Sequence, residues 1–190
     1  ATRIMAMVKA FSYGSGGFEI ARLLEFHNVD YLAVAYADEG VSLRRSGIRL
    51  PILVMNTEES ALDALVEYQL DPVLYSFPVL RAMAKRLKQE AIIMFPVHLE
   101  LETGMNRLGF GAREIPELLE NLAHSPFHGQ SVFSHLAASE APQQDDFTTN
   151  QFRQYQEMSE LLERHLHHPL LKHISNSPAV VRNPTLQMYM

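Results

Sequence analysis

Seven short apolar runs alternate with seven amphipathic stretches along this chain, and that alternation restricts the fold more than any other feature. The runs are Ile4–Val8, Tyr31–Ala35, Pro51–Met55, Pro72–Ser76, Phe95–Glu102, Gly129–Ser134 and Leu170–Ser175. Between and after them lie helical patterns over Phe18–His27, Ala37–Arg45, Glu58–Gln69, Phe77–Glu90, Glu114–Ala123, Asp146–His167 and Ser177–Arg182. A continuous apolar run bounded by turn residues reads as a strand buried on both faces, and strands that alternate with helices form a parallel sheet. Gln187 onward reads as the start of an eighth strand. Seven repeats and the beginning of another favour an α/β fold of the (β/α)8 TIM-barrel type over an open doubly wound sheet. The 190 residues suit one domain, a barrel with its eighth strand cut short. Ala1 stands close before a strand, and Leu186–Met190 reads as an apolar run cut inside one. The expectation is a barrel truncated at both ends, within a longer polypeptide.

Composition narrows the partners. The hydrophobic fraction is 47% and the charged fraction 20%, as in ordinary globular domains. The net charge of −6, with no basic run, argues against nucleic acid. No apolar stretch approaches membrane-spanning length, so no membrane partner is expected. Cysteine is absent, which excludes disulfides and thiolate sites and fits a cytoplasmic protein. His165, His167 and His168 suggest a metal cluster by composition alone. They lie at a helix C-terminus, where imidazole favours the dipole, and no metal site is expected there.

In such barrels chemistry sits at the C-terminal ends of the strands. Those positions carry Lys9 and Tyr13 after the first strand, Arg107 after the fifth, His135 after the sixth, and Asn176 and Ser177 after the seventh. Lys9 ends a buried-type run, where desolvation favours the neutral amine, and a neutral amine condenses with an aldehyde to a Schiff base. A lysine that snorkels to solvent fits the same stretch. The Ser175-Asn176-Ser177 turn opens a short helix, a place suited to anions.

Four motifs together carry a family resemblance. Val8-Lys9-Ala10-Phe11-Ser12-Tyr13-Gly14-Ser15-Gly16 resembles the alanine racemase motif in which a lysine carries pyridoxal phosphate and a tyrosine touches its phosphate. The run from His98 to Gly109 resembles the family's second motif, whose arginine bonds the cofactor's phenolic oxygen. Ser134-His135-Leu136-Ala137 and His173-Ile174-Ser175-Asn176-Ser177 are similar to two more, in matching order. The resemblance implies the pyridoxal-binding barrel of a two-domain, dimeric racemase that interconverts L- and D-alanine for peptidoglycan. It extends to the racemase half of a bacterial fusion with the cell-wall D-alanyl-D-alanine-adding ligase. It implies that Lys9 binds the cofactor and is a catalytic base, and that Arg107 orients it. His135 would pack near the pyridine ring, and Tyr13 and Ser177 would hold the phosphate beside a turn shaped by Asn176. His173 would support an arginine expected just beyond Met190.

Three departures stand out. Glu100 occupies a position where the family commonly has a lysine, often carbamylated, and is expected to supply the negative charge beside Arg107 itself. Ser15 stands where histidine is frequent. The family's C-terminal β domain, which contributes an opposing tyrosine base across the dimer, has no counterpart here, so this chain alone is expected to be inactive. Two other readings share the barrel: a non-enzymatic pyridoxal-phosphate carrier, and a cofactor-free Schiff-base aldolase.

Overall fold

The computed structural model describes residues 3–190. Its sheet comprises β1 (Met5–Met7), β2 (Tyr31–Val34), β3 (Ile52–Val54), β4 (Asp71–Leu74), β5 (Phe95–Glu100), β6 (Phe127–Phe133) and β7 (Leu171–His173). All pairings are parallel, and the spatial order is the chain order. Barrels wind this way, whereas a doubly wound sheet reverses order at a switch point. The connecting helices are α2 (Gly17–Phe26), α3 (Ala37–Arg45), α4 (Leu62–Glu67), α5 (Phe77–Gln89), α6 (Ile115–Ala123) and α7 (Asp145–Leu166), with α8 (Ser177–Arg182) following β7. The helix over Ser177–Arg182 has the bounds its sequence predicts, because Asn176 caps it and Pro178 fits its first turn.

The side-chain period of two splits the sheet into two cores. Leu32, Val34, Ile52, Val54, Leu74, Val97, Leu99 and Val132 face outward and pack against the helices. Ala33, Leu53, Val73 and Phe133 face inward and form a second, smaller cluster with Met5, Met7, Met55 and Tyr75. The rest of the inner face is polar, which explains the alternation in Phe95–Glu102. Val97 and Leu99 join the outer core, while His98 and Glu100 turn into the barrel, at 0% and 2% exposure.

Two expectations about the barrel seam require correction. The first run is not buried on both faces: Ile4 is exposed, Met5–Met7 are partly buried, and only Val8 is sealed. It lies at an end of the seven-strand order, with a laddered neighbour on one side only. Nor do residues 187–190 form an eighth strand. They leave a 3-10 turn, Pro184–Leu186, as extended chain. The Met190 amide donates to the Lys172 carbonyl at 3.3 Å, and the Tyr189 carbonyl accepts from the Arg3 amide at 3.0 Å. This segment touches both flanks of the seam without building a ladder.

After β1 the chain takes a backbone conformation that its residue types do not favour. Lys9–Tyr13 forms a single turn, α1, in which Ala10, Phe11, Ser12 and Tyr13 all have φ between 50° and 55°. Left-handed backbone costs an L-residue with a side chain about 1–2 kcal/mol, so four in succession persist only where neighbours enforce them. The turn closes on itself through Ser12 N to Val8 O at 3.0 Å and Gly16 N to Phe11 O at 3.0 Å.

Candidate active site at the barrel mouth

Lys9 continues the inward parity of Met5 and Met7 and stands where β1 meets the left-handed turn. It is partly exposed, so the burial inferred for it from sequence is incomplete. Its Nζ lies 6.0 Å from the centroid of the Tyr13 ring, which is itself largely exposed. The turn is anchored from outside by Glu39 of α3. One Glu39 oxygen accepts from the Ala10 amide at 2.6 Å, and the other accepts from the amides of Ala35 and Tyr36 at 2.7 and 3.2 Å. Bonds to a carboxylate are roughly twice as strong as neutral ones, and here one side chain ties the lysine-bearing turn to the end of β2.

Arg107 reaches the mouth on the loop between β5 and a backbone bridge from Leu101 to Phe110. Glu102 folds that loop: its carboxylate accepts from the Gly104 amide and from the Arg107 amide, the latter at 3.3 Å. Gly109 is required where the loop returns, because a Cβ there would come within 2.6 Å of the Glu102 backbone nitrogen and φ is +113°. The Arg107 guanidinium approaches Glu100 Oε1 at 3.7 Å. Glu100 Oε2 is buried without a hydrogen-bond partner. Burial pushes the Glu100 carboxyl up to about 7, against the pull of Arg107, with Glu102 adding to the rise.

His135 follows β6 and is held through its main chain. Gln151 of α7, fully buried, donates to the His135 carbonyl at 3.1 Å and accepts from the Ala137 amide at 3.0 Å. Burial lowers the His135 pKa first, and the positive charges of Arg107 and Lys9 lower it further. All three effects favour the neutral imidazole.

Asn176 is occupied structurally. Its Oδ1 accepts from the Ala179 amide at 3.1 Å and from the Ser139 hydroxyl at 2.6 Å, while Nδ2 donates to the Leu136 carbonyl at 3.3 Å. It shapes the turn, and Ser177 at the first position of α8 is exposed. His173 stacks on Phe133 with centroids 4.9 Å apart and planes 13° apart. Burial, with a contribution from His98, holds its pKa down to about 3.

Sequence reasoning missed Glu39, Asp71 and Ser131, and passed over His98. Glu39 carried a legible signal, being a glutamate at the third position of a helix, where it reaches back to the cap amide. That its other oxygen clamps the chain after Lys9 follows only from the β1–β2 pairing. Among the described residues no group of three His, Asp or Glu is placed to hold a metal. His165 bonds the Leu161 carbonyl, His167 ends α7 in a left-handed conformation, and His168 stacks on His128. Among the described residues no helix is long and apolar enough to cross a membrane.

Fold and site together define a lysine-bearing parallel (β/α) barrel with a cationic mouth backed by a buried carboxyl. The chain belongs to the alanine racemase family: the model of the alanine racemase N-terminal domain matches residues 1–190. It is 32% identical to alanine racemase 1 of Oceanobacillus iheyensis, over 100% of this chain and 50% of that protein. It is 34% identical to the alanine racemase of Sorangium cellulosum, over 96% of this chain and 49% of that protein. The solved alanine racemase of Clostridium difficile 630 in complex with cycloserine superposes with a TM-score of 0.92 at 31% identity, covering 100% of this chain and 52% of that one. The chain thus spans about half the length of the relatives it matches.

Proposed function

We propose that this chain is the pyridoxal-phosphate-binding barrel of an enzyme that interconverts L- and D-alanine, acting as a homodimer and supplying D-alanine for peptidoglycan. The observation that carries the reading is the placement of Lys9, Arg107 and His135 beyond the C-terminal ends of the parallel strands β1, β5 and β6, with Arg107 3.7 Å from a buried Glu100 whose Oε2 has no hydrogen-bond partner. The residues fit the cofactor's chemistry. The Lys9 amine would take its aldehyde, the Arg107 guanidinium would donate to its phenolic oxygen, and the Tyr13 and Ser177 hydroxyls would hold its phosphate. Asn176 shapes the turn beneath the phosphate.

When bound, pyridoxal phosphate supplies an electron sink for the charge left on the α-carbon of the amino acid. The Lys9 amine would hold the cofactor and carry a proton to or from one face of that carbon. Arg107 would donate to the phenolic oxygen, oriented by the Glu100 carboxyl 3.7 Å behind it. His135, whose burial favours the neutral form, would pack near the pyridine ring. His173 would accept a hydrogen bond from the arginine that the family resemblance implies at the pyridine nitrogen. Exchange at both faces of the carbon requires a second base on the opposite side, which none of these residues supplies. The chain by itself is therefore a binding unit, and racemisation belongs to the whole protein.

Lys9 is well separated from competing amines. Lys172 is buried against Glu163 at 2.6 Å, and Lys85 and Lys88 lie on α5 in a groove toward α6. Borohydride reduction after addition of pyridoxal phosphate, with peptide mapping by mass spectrometry, should give an adduct on Lys9 that disappears in Lys9→Ala. Adducts confined to Lys85 and Lys88 would refute the assignment.

A further inference from the structure

A chain of four polar side chains climbs the inside of the barrel beneath the mouth. Asp71 of β4 lies lowest, one pleat below Val73, which pairs in register with His98. His98 of β5 is level with Ser131 of β6, and His173 of β7 lies one pleat higher, level with Phe133 and Glu100. His98 Nε2 faces Asp71 Oδ2 at 3.6 Å, and its Nδ1 lies 2.5 Å from Ser131 Oγ. The same hydroxyl lies 3.1 Å from His173 Nε2. His98 and Ser131 are fully buried, Asp71 is nearly so, and the Tyr31 ring covers His98 edge-on at 5.6 Å. His98 and Ser131, at the centre of the chain, are sealed from solvent, so each proton position there constrains the next.

We propose that Asp71, His98 and Ser131 act as positioning residues that fix the tautomer of His173, with its proton on Nε2 and Nδ1 left as an acceptor. His98 Nε2 faces a carboxylate, which favours hydrogen on that nitrogen. In the neutral His98 ring Nδ1 is then a bare lone pair, which takes the single Ser131 hydroxyl proton. Ser131, having donated, can only accept from its second imidazole, so His173 Nε2 must be N–H. The neutral ring then has its lone pair on Nδ1, ready for a donor such as a guanidinium or a protonated ring nitrogen. A carboxylate at the lower end of the chain thereby sets hydrogen-bond polarity three strands and two pleats away. The polarity is independent of cofactor; its consequence for catalysis rests on the function proposed above.

The test is a long-range 15N–1H correlation spectrum of the chain labelled at its histidine ring nitrogens, with His173 assigned by its loss in His173→Gln. The expected result is a protonated Nε2 and a bare Nδ1 on His173, unchanged between pH 6 and 8. Ser131→Ala should abolish the preference and bring both His173 nitrogens to averaged shifts, with the far-ultraviolet circular dichroism unchanged. If Ser131→Ala does not fold, Asp71→Asn should give the same averaging, because an amide can face His98 with either its oxygen or its nitrogen. A His173 protonated on Nδ1 in the unsubstituted chain would overturn the proposal. So would an unaltered His173 spectrum in a folded Ser131→Ala or Asp71→Asn variant. Failure of borohydride trapping at Lys9 would remove the proposed function and leave this result standing.

Discussion

The two faces of the sheet share one backbone and one register, yet they solve opposite problems. The outer face is filled by aliphatic side chains against a shell of helices, and its contacts are non-directional, so neighbouring residues of similar shape can serve. The inner face mixes a small apolar cluster with Asp71, His98, Glu100, Ser131 and His173. There each group depends on the orientation of the next, and Glu100 Oε2 and His98 Nε2 lack hydrogen-bond partners. Unpartnered buried polar atoms cost stability, about 1–3 kcal/mol each. Among the strand residues that cost falls on the inner face, which opens onto the mouth. The division teaches that stability and chemistry here are separated by the pleat of each strand, residue by residue.

The separation can be broken at three levels. Leu99→Ala on the outer face removes a fully buried side chain in the middle of β5 and should cost about 2–5 kcal/mol in urea unfolding. Trapping at Lys9 should survive under conditions where the variant remains folded. A smaller loss that abolished trapping would contradict the division.

Glu39→Ala comes next. It removes the acceptor for the Ala10, Ala35 and Tyr36 amides and should cost about 1.5–3 kcal/mol, the range for hydrogen bonds to charged groups. Because the clamp restrains a left-handed turn, its loss should lower the yield of Lys9 adduct severalfold even at temperatures well below unfolding. Equal trapping in Glu39→Ala and the unsubstituted chain would show that the turn holds itself.

The smallest effect concerns pH on the inner face. His173 has a folded pKa depressed from 6.5 to about 3, so the stability associated with its neutral form is present above 6.5 and is lost as pH falls toward 3. Glu100 has a folded pKa raised from 4.5 to about 7, so its contribution is present below 4.5 and is lost as pH rises through 7. Between pH 4.5 and 6.5 the two slopes oppose each other. Glu100→Gln removes one of them, and stability should then fall more steeply with acid, by up to about 1.4 kcal/mol per pH unit. Urea midpoints measured from pH 7 to 5 check this. Parallel curves for the two proteins would show that Glu100 does not titrate as its burial requires.

Much of this was legible in the chain. The alternation of apolar runs and amphipathic stretches located the seven strands, their parallel pairing and the barrel, though not the failure of residues 187–190 to form an eighth, because the periods of 2 and 3.6 are imposed by backbone geometry. The positions just beyond each strand located Lys9, Tyr13, Arg107, His135 and Ser177 at one end, since a parallel sheet puts all those ends together. Less was legible where an outcome depends on partners far along the chain. The left-handed turn at Ala10–Tyr13 contradicts the local preference of all four residues and exists because Glu39 and the β1–β2 pairing enforce it. The openness around β1 reflects the seam, where residues 187–190 contribute two hydrogen bonds instead of a strand.

By itself, then, the sequence determined which side of each strand is apolar and which residues stand at the mouth, because both follow from local periodicity. Only the tertiary structure decided that Asp71, His98, Ser131 and His173, separated by as many as 102 positions in the numbering, line up in one chain, hydrogen-bonded from His98 to His173 and with the Asp71 carboxylate 3.6 Å from His98 Nε2. The physical reason is register. A shift of one residue in any of the three pairings from β4 to β7 would turn one of these side chains outward and break the chain, and no local property of the residues fixes that register.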